Sequence, residues 1–535
     1  MHEAYFIQVL VPLRLEWIPV YRSRTHLEPG AWVTVPLGHA KYKGVVSKCL
    51  DGPGMDESRI HDVLAVNDEL PPISREELSF WDFLSSYYLC TPGEVFKAAR
   101  PAGKIRSEQT AADIKQRLEQ RLALREESLT RKHRDNVRER LEAERDTLKS
   151  QIAALTRIPE DSPSKPAAGK PVLIAGGSRT EEYIKLCRET IDAGFNALVL
   201  IPEIAAGEQL QGVFEQEFEA RVHCVNSHIT EVRRRRIAED VRNFGSQIVI
   251  GTRSSLFLPF SRLGLIIVEN EQDMLYKQTE PSPRYNARDA AVMLGRIHNA
   301  RVVLGSPYPS LESYYNAVQG KYILKPTNAA PAPLTLVDVV AERRKGGMLG
   351  RISRKLLEAA SRTQGPIALI RGWEKPDELL EEVSELLPGR EVDILTLSQA
   401  RLSDLRHYSM VAVLQADALF PEGDFRADER AVQTLAMLNE QCATVFLVQT
   451  AKADHPVFSS PQTIMDRLLE ERRSFKLPPY TRLIDTDFGG HKERMTLAPG
   501  VSLQKRKQEL RERALAFEKK TGGRVRVIID VDPIV

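Results

Sequence analysis

Between residues 171 and about 324, five short apolar runs (172–175, 197–201, 247–250, 263–268 and 301–304) alternate with longer polar segments of helical period. Runs of four to six residues, apolar on both faces and rich in Val, Ile and Leu, suit strands covered by helices on each side. The alternation therefore predicts a doubly wound parallel sheet. The same pattern returns from about 334 to 449, with strands expected near 367–370, 410–414 and 444–448. The fold class expected is α/β. Two such lobes are preceded by a small β-rich module and a helical segment, and followed by a short α+β domain.

At about 150 residues per domain, 535 residues imply three to four domains. Residues 1–105 open with short alternating strands (4–13, 31–35, 44–48) and a helix at 75–88, a β-rich module. Residues 106–170 hold a charged stretch without Gly or Pro from 111 to about 155, then a linker carrying Pro159, Pro163 and Pro166. The spacing of Leu118, Leu122, Leu129, Leu141 and Leu148 predicts one long amphipathic helix, read as a solvated spacer or coiled-coil arm. The two α/β lobes span 171–330 and 331–464, and 465–535 form a carboxy-terminal domain.

Lys+Arg 75 against Asp+Glu 73 gives a net charge of +2, which by itself favours no class of partner. The five cysteines lie far apart with no Cys-x-x-Cys pair, so structural zinc is not expected and free thiols of a reducing cytoplasm are. No apolar stretch approaches the ~20 residues that cross a bilayer, so no membrane partner is expected.

The segment Ala175-Gly-Gly-Ser-Arg-Thr-Glu181 follows the first apolar run and precedes a helical one, the setting of a phosphate-binding loop. Such a loop reads Gly-x-x-x-x-Gly-Lys-Ser/Thr. Its glycines let amides approach phosphate, and its ammonium neutralises the oxygens. Here Leu173 and Ser178 replace the glycines and Arg179 the lysine; Thr180 alone fits, as a potential magnesium ligand.

Further motifs carry a resemblance. They are Leu198-Val-Leu-Ile-Pro-Glu-Ile204, Val249-Ile-Gly-Thr-Arg-Ser-Ser-Leu-Phe257, Pro283-Arg-Tyr-Asn-Ala-Arg-Asp289, Val33-Thr-Val-Pro-Leu-Gly38, Tyr87-Tyr-Leu-Cys-Thr-Pro-Gly-Glu-Val95, Phe425-Arg-Ala-Asp-Glu-Arg430 and Ile529-Asp-Val-Asp-Pro533. Through these motifs the chain resembles the PriA family of primosomal replication-restart proteins over nearly its whole length. The resemblance implies a module that holds a 3′ DNA end, a winged-helix region, two RecA-like helicase lobes, a zinc module and a carboxy-terminal DNA-binding domain.

Against that family, this sequence departs where the chemistry lies. The family's Asp-Glu-Glu-His is Glu269-Asn-Glu-Gln272 here, and Asn270 cannot accept the proton of an attacking water. Ser-Ala-Thr becomes Ser306-Pro-Tyr308. The arginine-finger motif gives way to Met437-Leu-Asn-Glu-Gln-Cys442, and the eight-cysteine zinc module is missing between about Trp373 and Leu395. Gly177, Ser178, Arg179, Thr180, Glu269 and Glu271 are the residues of a vestigial nucleotide site, so bound ATP and magnesium are doubtful and no catalytic residue is assigned.

For DNA, the resemblance points to Gly38 at a terminal-nucleotide pocket and Arg253 on the DNA track. Tyr21 could stack on a base, and Lys41 and Lys43 flank Tyr42 on a predicted hairpin. Each has a plainer reading: Tyr21 and Gly38 as barrel residues, the others as surface cations. The expected function is binding of forked or single-stranded DNA and of primosome or replisome proteins, without ATPase or helicase activity. An active 3′–5′ DNA helicase and a protein-only scaffold are the alternatives.

Overall fold

The computed structural model describes residues 4–100, 111–131, 135–156, 168–226, 228–327, 333–442, 444–498 and 500–534. The amino-terminal module is a six-stranded sheet in the order His61–Asp62, Val20–Ser23, Tyr5–Leu10, Ala40–Leu50, Trp32–Leu37, Ala65–Val66. Alternate residues such as Ile7, Val9, Val33 and Val35 turn inward with Tyr21 to make its core.

Helix Arg75–Tyr88 begins at a capping box in which Ser74 and Glu77 satisfy each other's backbone amides. One face of it buries Phe80, Trp81, Leu84 and Tyr88. These side chains share one continuous core with Trp32 of the sheet, Leu198 and Val249 of the first lobe, and Ile484 and Phe488 near the carboxy terminus. The ends of the chain are thus packed onto the first lobe.

Where one long helix is expected, the structure has two, Ala111–Leu129 and Asp135–Thr156. They lie against each other, with Arg125 2.8 Å from Glu144 and Lys149 2.9 Å from Glu126. The first helix stops where the Thr130 hydroxyl and amide both turn back to the Glu127 carbonyl, a local bond that competes with helix continuation. Folding back also lets Leu118 and Leu148 bury each other against Phe244. A mostly polar helix has no other way to cover its leucine stripe.

The first lobe is a seven-stranded, all-parallel sheet in the order Ile323–Pro326, Val172–Ala175, Arg301–Ser306, Leu263–Glu269, Asn196–Leu200, Ile248–Gly251, Val222–Val225. The second is five-stranded and parallel: Leu334–Asp338, Val445–Thr450, Met410–Val413, Ile367–Arg371, Val392–Thr396. These are the two parallel α/β lobes expected. Helix Pro461–Ser474 buries Ile464, Met465, Leu468 and Leu469 in the second lobe's core, so that lobe runs past residue 464. A three-stranded antiparallel sheet and helix Val501–Lys520 complete the chain. Among the described residues no helix is long and apolar enough to cross a membrane.

Candidate functional site

Strand Val172–Ala175 ends in the loop 176–179, and helix Thr180–Asp192 starts directly after it. The loop is tightly folded. Gly176 has φ +113° and gives its amide to the Ser306 carbonyl at 2.9 Å; a Cβ there would stand 2.3 Å from Thr327 Oγ1. Ser178 adopts φ +58°. The helix has no side-chain cap, which leaves its amino end positive. Glu181 and Glu182 occupy its first turn and meet that field with their own charge.

Arg179 does not point at solvent. It is 4% exposed, and its guanidinium lies across the loop between two carboxylates. Nη2 is 2.6 Å from Glu269 Oε1, Nη1 is 2.9 Å from Glu440 Oε1, and Nε donates to Glu269 Oε2 at 3.3 Å. Nη1 also donates to the Gly176 carbonyl. Tyr183 closes the cluster with a 2.5 Å hydrogen bond to Glu269 Oε2. Glu269 ends a strand of the first lobe, whereas Glu440 ends helix Ala427–Glu440 of the second.

The electrostatics follow from burial. Burial pushes the Glu269 carboxyl up, but the Arg179 guanidinium outweighs it and holds the group below its usual range. Burial dominates at Glu440, whose pKa is raised with Arg179 only partly offsetting. Two carboxylates against one guanidinium give this cluster a net negative charge. An added charge of the same sign about 4 Å away would be repelled by roughly 4 kcal/mol at an effective dielectric of 20.

The other cleft residues separate. Thr180 and Gly177 are half-buried at the start of the helix and Ser178 is exposed. Glu271 is 1% exposed and turned to a different element. Its carboxylate accepts from the Ser310 amide at 2.6 Å, the Ser310 and Ser313 hydroxyls at 2.8 Å and Arg288 Nη1 at 3.3 Å, capping helix Leu311–Val318. Glu271 therefore does not join Arg179 and Glu269.

At the amino-terminal module, Tyr21 is 2% exposed and donates its hydroxyl to the Pro36 carbonyl at 2.9 Å; burial pushes its pKa up to about 12. Its ring is inside the module, with no face open to a base. Gly38 has φ +60° at the tip of the hairpin formed by Trp32–Leu37 and Ala40–Leu50, with open space beside its Cα. Lys41 is exposed on that hairpin, and Lys43 lies 3.7 Å from Glu69. Arg253 is remote from them in the first lobe, where Nη1 holds the Leu275 carbonyl at 2.8 Å.

Sequence reasoning passed over Trp17. It is 56% exposed in the loop before Val20–Ser23, at the end of the sheet where Tyr21 reaches Pro36. Neighbouring charges tie this loop to the carboxy-terminal helix: Arg14 is 2.8 Å from Glu518, and Glu16 is 3.7 Å from Arg511. The available signal was the indole itself, placed just before the proline that precedes the strand Val20–Ser23.

A separate recess of about 610 Å³ lies between helix Arg75–Tyr88 and the first lobe, with Phe83, Tyr87, Tyr315 and Tyr322 in its wall and Arg296 and Lys321 at hand.

Residues 8–101 match the family described as the 3'DNA-binding domain (3'BD) of PriA. Over 177 residues the chain is 41% identical to the replication restart protein PriA of Chlamydia pneumoniae, covering 32% of this chain and 24% of that protein. Over 345 residues it is 29% identical to the PriA of Rickettsia felis, covering 62% of this chain and 47% of that protein. The chain thus spans from a quarter to about half the length of these relatives. A RecG structure bound to a three-way DNA junction aligns at 14% identity with TM-score 0.35, over 89% of this chain and 72% of that one.

Proposed function

We propose that this member of the PriA family binds forked or single-stranded DNA through its amino-terminal module and carries primosome or replisome partners in the cytoplasm, without hydrolysing ATP. The observation that carries this reading is the engagement of Arg179. Its donors are directed to Glu269, Glu440 and the Gly176 carbonyl, where a motor needs a free cation facing phosphate. The residues present do not fit a magnesium triphosphate.

What remains is recognition. Gly38 leaves room at the hairpin tip, Lys41 supplies charge to a phosphate, and the exposed Trp17 ring offers a stacking face. The aromatic recess beside Tyr87 and Tyr322 is the surface we assign to a protein partner.

An ATPase assay with forked DNA tests the reading: no turnover above background is expected, and DNA-stimulated turnover would establish the helicase alternative instead. Comparing a fork with and without a 3′ hydroxyl at the junction separates DNA recognition from a protein-only scaffold. Tighter binding of the hydroxyl-bearing fork supports the first, and no binding at about 50 mM salt supports the second.

A further inference from the structure

A RecA-like motor works because nucleotide binds the closed arrangement of its lobes better than the open one. In this chain the lobes meet at several places, among them an ion pair between Asp273 of the first lobe and Arg401 of the second at 2.9 Å, and two of the others fix their arrangement. One is the cleft, where Arg179 of the first lobe meets Glu440 of the second at 2.9 Å. The other is the segment Tyr308–Tyr314, which leaves the first lobe's sheet and enters the second lobe's core. Tyr308, Leu311 and Tyr314 are buried there in one cluster with Leu435, Val448 and Leu468.

Polar contacts fix that insertion on all sides. The Tyr308 hydroxyl donates to the Pro461 carbonyl at 3.0 Å, and the Leu311 amide donates to Glu429 Oε1 at 2.9 Å. Glu429 is itself held by Arg472, which is fully buried, at 2.8 Å. Arg426 reaches Glu312 at 3.0 Å. Parting the lobes would expose an apolar cluster and strand buried charges, both costly.

We propose that the two lobes form one permanently closed body, in which Arg179 and the Tyr308–Tyr314 insertion supply from within the chain the closure that nucleotide supplies in a motor. This rests on the reading above that the cleft takes no triphosphate. It adds that any DNA path across both lobes is set once, at folding.

Hydrogen exchange of the full chain tests it, read at amides 308–314 and 429–435 with and without a non-hydrolysable magnesium–adenine nucleotide and forked DNA. Both segments should be protected, and nucleotide should change their exchange by less than about twofold. A nucleotide-dependent change of about tenfold or more in both segments would overturn the proposal, as would exchange at the rate of exposed loops in the free protein. Glu440→Gln should raise exchange at the start of helix Thr180–Asp192 while leaving 308–314 protected. Tyr308→Ala should raise both segments together, and if that variant does not fold, the nucleotide comparison on the unaltered chain still decides. Turnover measured on the same sample keeps the two failures apart. Turnover with immobile lobes sinks the non-motor reading alone, and moving lobes without turnover sink the closure alone.

Discussion

Arg179 and Glu440 face each other 2.9 Å apart across the cleft between the lobes, the guanidinium from the first lobe and the carboxylate from the second. A phosphoryl-transfer motor turns a lysine and an arginine finger to phosphate. Here one cation serves two carboxylates of its own chain. The cluster satisfies itself, so a phosphate would have to displace Glu269 or Glu440 from a buried partner.

That pairing sets the cost of breaking it. Arg179→Ala leaves Glu269 and Glu440 buried without their cation and should destabilise the chain by about 3–5 kcal/mol. Replacing all three by Met and Gln, Arg179→Met with Glu269→Gln and Glu440→Gln, should cost clearly less, because no buried charge is stranded. Urea unfolding of the two variants checks the order.

The two carboxylates should part company in acid. Glu440, raised by burial, holds its proton more tightly folded than unfolded, so stability rises slightly as pH falls through its window just above the ordinary carboxylate range. Glu269, which Arg179 holds low against the pull of burial, contributes stability that is present above that range and lost as pH falls through its folded pKa. Urea midpoints followed from pH 7 to pH 3 should lose the first feature in Glu440→Gln and the second in Glu269→Gln.

Lys507 makes stability depend on pH at the alkaline end. It is 2% exposed, donates to the Tyr87 carbonyl at 2.7 Å and sits 3.8 Å from the centre of the Tyr87 ring. Burial lowers its pKa to about 8. The folded chain binds fewer protons than the unfolded one between there and the ordinary lysine value, so stability should rise with pH across that window. Lys507→Met should abolish the rise.

DNA contact should follow Trp17 rather than Tyr21. Loss of one stacked base is worth about 1–3 kcal/mol, so Trp17→Ala should weaken single-strand binding by roughly 5- to 150-fold. Tyr21→Phe removes only the bond to Pro36 and should leave affinity unchanged while costing about 1 kcal/mol of stability. Lys41→Glu should reduce the salt slope by about one phosphate contact.

The parallel strands were legible because their residues are apolar on both faces. The run expected at 172–175 is the strand Val172–Ala175, and helix Arg75–Tyr88 begins and ends where its pattern does. The edge strand Ile323–Pro326 was not legible: all four of its residues are exposed, so no burial pattern marks it. At the site, the substitutions in the loop and at Glu269 could be read from the chain, but their meeting with Glu440 could not. Local sequence carries no record of a contact 261 residues away. Tyr21 misled for a related reason, since an aromatic in a strand packs inward or faces out according to register alone.

Titration of the full chain with magnesium and a non-hydrolysable adenine nucleotide, followed by calorimetry, tests the engagement of Arg179 most directly. No saturable binding should appear up to about 1 mM, corresponding to less than about 4 kcal/mol of affinity. Saturable binding with a micromolar Kd, abolished by Thr180→Ala, would contradict it.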